Sequence, residues 1–253
     1  MKNKKQIDFT GAISSIFAIL IGLLVGLIVL MLSNYRQAFP GFFTILTGSL
    51  THGMKGVGQV FYYATPIILT GLSVGFAFKT GLFNIGASGQ FIIGAFGAVY
   101  VGIMFKNFGS VHWIIAVLAS VLFGAIWGSV PGILKAYFNV NEVIASIMMN
   151  YIGMYAVNWT VKGYKPLFNN LRNESKNVAA TAEIPKMGLD AIFPGSSVNG
   201  GFIIAIITAI IIFIVLNKTT FGYELKAVGY NRNASKYAGI NEKKSIILSM
   251  TIA

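Results

Sequence analysis

At 253 residues, 55% hydrophobic, only 10% charged and with a mean hydropathy of +0.73, the chain is too apolar for a water-soluble domain and reads as a polytopic membrane protein. With no cysteine it has no disulfides, no thiolate metal site and no sulfur-borne cofactor chemistry. The net charge of +12 is carried beside apolar spans, where Lys and Arg orient helices and meet anionic lipid, so it does not point to nucleic acid.

The basic N-terminus, MKNKKQIDF, precedes 21 uncharged residues from Ala12 to Leu32. This run is longer than a signal-peptide core and no small-residue cleavage pattern follows it, so it is expected to persist as a transmembrane helix. Further apolar runs place spans near Phe61 to Phe78, Gly81 to Phe105, Val111 to Leu134, Val143 to Val161 and Phe202 to Leu216, and another run begins at Ser245. The fold class is therefore all-α, a polytopic transmembrane bundle of about six complete spans plus the start of a seventh. Placing Lys2, Lys4 and Lys5 inside makes the N-terminus cytoplasmic and puts Lys79, Lys135 and the loop after Leu216 inside as well. Arg36, Lys55, Lys106 and the segment from Lys162 to Asn199 then lie outside. That outer segment carries five Lys/Arg against three acids, which pulls weakly against the orientation rule.

Glycines recur at four-residue spacing, as Gly22 and Gly26, Gly71 and Gly75, and Gly124, Gly128 and Gly132. Such pairs share a helix face and are expected to be packing seams. Pro66 and Pro131 fall within or near spans, as hinges or bends. From Gly81 to Ala95 the polar residues Asn84, Ser88 and Gln90 stand among glycines and apolar residues. At membrane depth such groups face protein or a watery path, which leaves two roles open: hydrogen bonds that fix the bundle, or lining of a route. Asn139 or Asn141 is expected to cap the next span, with Glu142 suited to its positive dipole end, and Trp159 beside Asn158 fits an outer interfacial anchor. The exterior segment 162–199 contains Pro166, Pro185, Pro194 and Gly195 and reads as a long loop with short helical pieces.

The stretch 218–244, KTTFGYELKAVGYNRNASKYAGINEKK, is polar and carries six Lys/Arg against two acids, which assigns it to the cytoplasmic side. Its centre reads as one short helix, with Asn231 as N-cap, Arg232 to Ala238 as body and Gly239 as a left-handed C-terminal cap. No catalytic constellation accompanies it. His52 and His112 lack carboxylate partners at ligand spacing, which argues against a metal, and His112 beside Trp113 reads as interfacial. No Ser/His/Asp arrangement or acid–base pair is suggested. The Lys-Thr pairs at Lys79 and Lys218 lack the glycines of a phosphate-binding loop, so any ATP that drives the protein must bind elsewhere.

Three strings carry a resemblance: GLFNIGASGQFIIGA from Gly81, FNVNEVIASIMMNYI from Phe138 and ELKAVGYNRNASKYAGI from Glu224. In that order they resemble permease subunits of bacterial ATP-binding-cassette importers of the nucleoside and simple-sugar group, with the nucleoside branch the better fit. The likeness runs from about Thr65 to the last residue and implies a single transmembrane permease domain over 1–253 in the bacterial cytoplasmic membrane. It implies that 218–244 is the coupling loop, with Gly229, Asn231, Arg232, Ala238 and Gly239 at the contact with an ATPase subunit, and that Asn84, Ser88 and Gln90 lie by the translocation route. The family often has Glu at the position of Ser88, so a carboxylate contact there is replaced by a shorter, neutral one. The implied partners are a separate ABC ATPase that binds the ATP, a second permease chain and an extracytoplasmic substrate-binding protein received by 162–199. The chain itself is expected to be neither an enzyme nor a cofactor carrier.

A simple-sugar permease, an ion-coupled secondary transporter and a non-transporting scaffold are the alternatives. The first four spans hold no Asp, Glu, Lys or Arg, which disfavours ion coupling. Family members continue beyond the coupling segment with further helices, whereas the run after Ser245 is too short to cross a hydrocarbon core. The chain is thus expected to be C-terminally incomplete, as a fragment or as one half completed by a second polypeptide.

Overall fold

The computed structural model describes residues 10–105 and 108–253. Lys2, Lys4, Lys5 and Lys106, on which part of the orientation rests, lie outside the described residues. Long apolar runs uninterrupted by charge become helices, because in lipid each backbone donor and acceptor must find its partner within the segment. Helices α1 (Thr10–Ser33), α2 (Tyr35–Thr51), α3 (Gly53–Phe78), α4 (Ala87–Met104), α5 (His112–Phe138) and α6 (Glu142–Gly163) follow one another. A two-stranded hairpin, β1 (Phe168–Asn169) and β2 (Glu174–Ser175), and the short α7 (Leu189–Ile192) precede α8 (Gly201–Lys218), α9 (Thr220–Tyr230), α10 (Arg232–Tyr237) and α11 (Glu242–Ile252). Five of the described helices are long and apolar enough to cross a membrane: α1, α3, α4, α5 with the turn before it, and α8. Helix α6 is as long as these but more polar.

Several boundaries differ from the sequence reading for identifiable reasons. The span expected from Gly81 begins only at Ala87, because Gly81 takes a left-handed φ of 72° and residues 81–86 form an irregular segment. The span expected from Phe61 begins at Gly53, since a helix accommodates Lys55 and Gln59 where a criterion of unbroken apolarity stopped. Helix α2 was not expected: it contains Pro40, and the hydroxyl of Thr44 donates to the Pro40 carbonyl at 2.8 Å. The segment 162–199 holds the expected short helical pieces, a 3-10 turn at Ala180–Ala182 and α7, together with the unexpected hairpin, in which Phe168 pairs with Ser175 and Asn169 with Glu174.

The described chain divides into two units: the stretch up to Val60 with Phe193–Ser196, and Phe61–Ile192 with Ser197–Ala253. In the smaller unit α1 packs on α2. In the larger, α5 is the central post, with α4 and α11 laid along it. Small residues set these approaches. A Cβ at Gly94 would come within 3.1 Å of the Ser120 carbonyl, and one at Gly132 within 3.1 Å of the Met250 side chain. The expected glycine seam is real at Gly128 and Gly132, which receive α11, whereas Gly22, Gly26, Gly71 and Gly75 have nothing within 4 Å. Two buried apolar clusters complete the unit. Ala77, Leu82, Ala136, Val228, Ile246 and Met250 tie α3, α5, α9 and α11 together, and Phe76, Leu216 and Leu225 tie α3 to α8 and α9.

Candidate translocation and coupling site

The irregular segment before α4 delivers two of the expected polar residues to one buried node. Asn84, 1% exposed, donates from Nδ2 to Gln90 Oε1 at 2.8 Å, and Gln90 donates from Nε2 to the Met250 carbonyl of α11 at 3.2 Å. Gln90 fits there because Gly128 on α5 has no side chain: a Cβ would collide with the Gln90 amide and stand 2.5 Å from the Met250 oxygen. Thr80 adds a link at the preceding residue of α11 by donating to Ser249 Oγ at 2.8 Å. Each neutral bond contributes about 1 kcal/mol net, and stranding either buried amide costs ~1–3 kcal/mol.

Asn150 of α6, which sequence reasoning left without a role, holds the same segment from the other side. Its Oδ1 accepts from the Gly89 N–H at 2.8 Å and its Nδ2 donates to the Ile85 carbonyl at 2.9 Å, so one amide joins the end of the irregular segment to the first turn of α4. The apposition needs Gly89, whose Cβ would lie 2.9 Å from Asn150 Cα. Asn84 Oδ1 and Ser146 Oγ are buried without a protein hydrogen-bond partner and both face Gly86. Ser88 is exposed and stands outside this network. A cavity of about 530 Å³ opens on the other side of Gln90, walled by Ser73 and Thr70 of α3, Phe91 of α4, Ser120 of α5 and Thr251 of α11.

The polar stretch 218–244 contains two helices rather than the one expected, followed by the start of α11. Thr219 caps α9 through Gly222 N–H, and Asn231 caps α10 by accepting from Ala234 N–H at 3.0 Å. Gly239 has φ of 80°, the left-handed C-terminal position, with open space around it. Ala238, exposed, donates its N–H to the Ala234 carbonyl at 3.0 Å, and Gly239 N–H donates to the Lys236 carbonyl at 3.1 Å. Gly229 does not turn the chain as a flexible joint. It sits inside α9 as a point of close approach, where a Cβ would collide with the Lys79 carbonyl and come within 3.1 Å of Gly81 N. Arg232 reaches across to α11, with Nε 2.8 Å from Glu242 Oε2 and Nη2 3.5 Å from Oε1. Lys135 and Glu142 make a second ion pair at 2.9 Å, between the end of α5 and the start of α6. Lys243 lies 4.7 Å over the Tyr137 ring.

At the other end of α5, His112 corrects the interfacial reading, being fully buried. Its Nε2 lies 3.2 Å from the Val101 carbonyl, which can only accept, so Nε2 carries the proton and Nδ1 accepts from the Thr181 hydroxyl at 2.9 Å. His112 thereby pins the 3-10 turn Ala180–Ala182 to α4 and α5. The capping expectations for the next span resolve cleanly: Asn141 caps α6 through Val143 N–H at 2.9 Å, and Asn139 ends α5 in the left-handed region. Among the described residues no group of three or more His, Asp or Glu could hold a metal ion.

The profile of the family described as branched-chain amino acid transport system / permease component matches residues 56–253. The guanosine ABC transporter permease protein NupP of Bacillus subtilis is 37% identical over 238 residues, covering 94% of this chain and 67% of its own length. The nucleoside ABC transporter permease protein NupB of Lactococcus lactis is 35% identical, covering 94% of this chain and 66% of its own. A glucose ABC transporter permease of Haloferax volcanii is 29% identical over 74% of this chain and half of its own. The chain thus spans about two thirds of the length of the first two relatives. No solved structure matches it. With several apolar helices and relatives of this kind it is a multi-pass membrane protein. The chain belongs to the branched-chain amino acid transport system / permease component family, a membrane transport component and not an enzyme.

Proposed function

We propose that the chain is the permease subunit of an ATP-driven importer that moves nucleosides across the bacterial cytoplasmic membrane, with its N-terminus and the 218–244 loop on the cytoplasmic side. The observation that carries the reading is the likeness to the two nucleoside-type permeases over 94% of the chain. The coupling segment supports it physically. Tyr230 and Tyr237 are 90% and 94% exposed around α10, on a segment too polar to lie in lipid. Bare tyrosines beside Lys236 are the composition of a contact patch for another protein. A separate ATPase that binds ATP fits this patch, and an extracytoplasmic substrate-binding protein and a second permease chain complete the assembly.

Closure of the ATPases on ATP would push α10, and two contacts carry the push inward. Gly229 abuts the Lys79–Gly81 turn, and Arg232 grips Glu242 at the first residue of α11. From α11 the motion reaches α4 through Met250 and Gln90, and the end of α3 through Ser249 and Thr80. Loss of labelled nucleoside uptake, with ribose uptake retained, in cells lacking the gene is the expected result. Loss of ribose uptake alone would favour the simple-sugar reading, and loss of neither would refute both.

A further inference from the structure

A membrane helix shows what surrounds it by what it exposes. Helix α5 exposes Leu118, Val121 and Leu122, and α8 exposes Ile207, Ile210 and Ile214, groups that hydrocarbon accepts at no cost. Helix α6 differs. Tyr151 is 56% exposed, Tyr155 65%, and Asn158 is exposed as well. Successive steps of four and three residues put all three on one helix face. Tyr151 and Tyr155 flank the midpoint of the Glu142–Gly163 helix. Hydroxyl and amide groups set against lipid tails without partners cost roughly 4–8 kcal/mol each on a cyclohexane scale. The two tyrosine hydroxyls near the helix midpoint therefore call for water or polar partners along this face, which Asn158 continues toward the helix end.

The orientation of that face is fixed. On the opposite side of α6, Ser146 meets Gly86, Asn150 holds Ile85 and Gly89 across the start of α4, and a Cβ at Gly153 would stand 3.3 Å from the Trp127 ring. Rotation about the helix axis would break all three contacts, so the tyrosine face is held outward in advance of any ligand.

We propose that Tyr151, Tyr155 and Asn158 form a substrate-contacting wall of a water-accessible path, with the nucleoside as its occupant. This rests on the importer reading above. The rise between the two tyrosines is about 6 Å and from Tyr151 to Asn158 about 10 Å, the scale of one nucleoside. The rings offer flat faces to a base, which tolerate any base because each has a π-face, and stacking of this kind contributes about 1–3 kcal/mol per base. The Asn158 amide both donates and accepts, so it can meet a base edge or a ribose hydroxyl.

The protein has no cysteine, which gives a direct test in the assembled transporter in membrane vesicles. Single variants Tyr151→Cys, Tyr155→Cys and Asn158→Cys are treated with a charged, water-soluble methanethiosulfonate, with Ile210→Cys on the exposed face of α8 as the lipid-facing control. Labelling at least tenfold faster than the control, slowed severalfold by guanosine and not by ribose, is the expected result. In uptake, Tyr155→Phe should hold KM within about threefold and Tyr155→Leu should raise it about tenfold, the loss of roughly one stacking contact. Labelling no faster than Ile210→Cys overturns the proposal, because lipid or protein then covers the face. Fast labelling indifferent to guanosine overturns it as a substrate wall. Failure of the parent protein to take up nucleoside would instead defeat the importer reading, while the labelling comparison would still report on the water path.

Discussion

The ion pair between Arg232 and Glu242 is the contact on which the proposed coupling route depends most. Its nitrogen–oxygen distances are 2.8 and 3.5 Å, and its side chains are 34% and 15% exposed. At an effective dielectric of about 20, unit charges 2.8 Å apart attract by about 6 kcal/mol before any cost is counted. Desolvation and the ordering of a long arginine cancel most of this, and fully exposed pairs retain about 0.2–1 kcal/mol. A half-buried pair with two hydrogen bonds falls above that range, at about 1–2 kcal/mol, which is a factor of 5–30 in an equilibrium. The expected result of Arg232→Gln or Glu242→Gln is a 5–30-fold fall in nucleoside transported per ATP hydrolysed in proteoliposomes that hold the whole transporter, with ATP hydrolysis itself continuing. The double variant should be no worse than the poorer single, since the partner is already lost. The exchanged pair should recover only part of the loss, because Glu242 is the first residue of α11, where the helix dipole favours an anion and opposes arginine. Additive losses in the double variant, or full coupling in Arg232→Gln, would refute the route.

Three further perturbations separate close packing from backbone conformation. Gly229→Ala puts a methyl into the Lys79 carbonyl, so the α9 contact must open at a cost of about 1–3 kcal/mol and uptake should fall, while Gly22→Ala, with nothing within 4 Å, should leave both stability and uptake unchanged. At Gly239 the space is open but φ is 80°, so Gly239→Val meets only the backbone penalty of about 1–2 kcal/mol. That variant should reach the membrane in normal amount and yet uncouple ATP hydrolysis from uptake, and normal uptake would remove Gly239 from the coupling site. His112→Ala frees the Thr181 turn and leaves the Val101 carbonyl only its bond from Phe105 N–H, and is expected to speed tryptic cleavage at Lys176 and Lys186 severalfold without altering ATP hydrolysis.

What the sequence made legible is what is local. Caps involve residues two or three apart, so Asn141, Asn231 and Gly239 could be identified from their own neighbours, and the geometry agrees at all three. Apolar length found the core of each long span for the same reason. It misjudged ends wherever a helix tolerates one charge, as with Lys55 in α3, and wherever a break is stabilised from elsewhere, as at residues 81–86. Helix α9 was missed because its apolar side, Leu225 and Val228, belongs to buried clusters shared with other helices and is diluted by polar neighbours in sequence.

The polar node shows why the remainder was hidden. Asn84 and Gln90 stood out as amides at membrane depth, but that signal is the same for a bundle-fixing bond and for a path-lining group. Which one applies depends on partners 160 residues away at Met250 and 61 residues away between Gly89 and Asn150. A helical pattern fixes the face a side chain occupies and says nothing about the element that meets that face. The node is therefore best understood as the inner end of a lever. The Asn84 Nδ2 and both ends of the Gln90 amide are spent on protein contacts that bind α4 to α11, and α11 is held by Arg232 at its other end. Groups already satisfied by the bundle are poor ligands for a passing substrate, since a hydrogen bond to the substrate would form only as one within the protein breaks. On the proposed assignment, transmission through α4 and α11 and recognition by the exposed Tyr151, Tyr155 and Asn158 of α6 fall on different helices joined through Asn150.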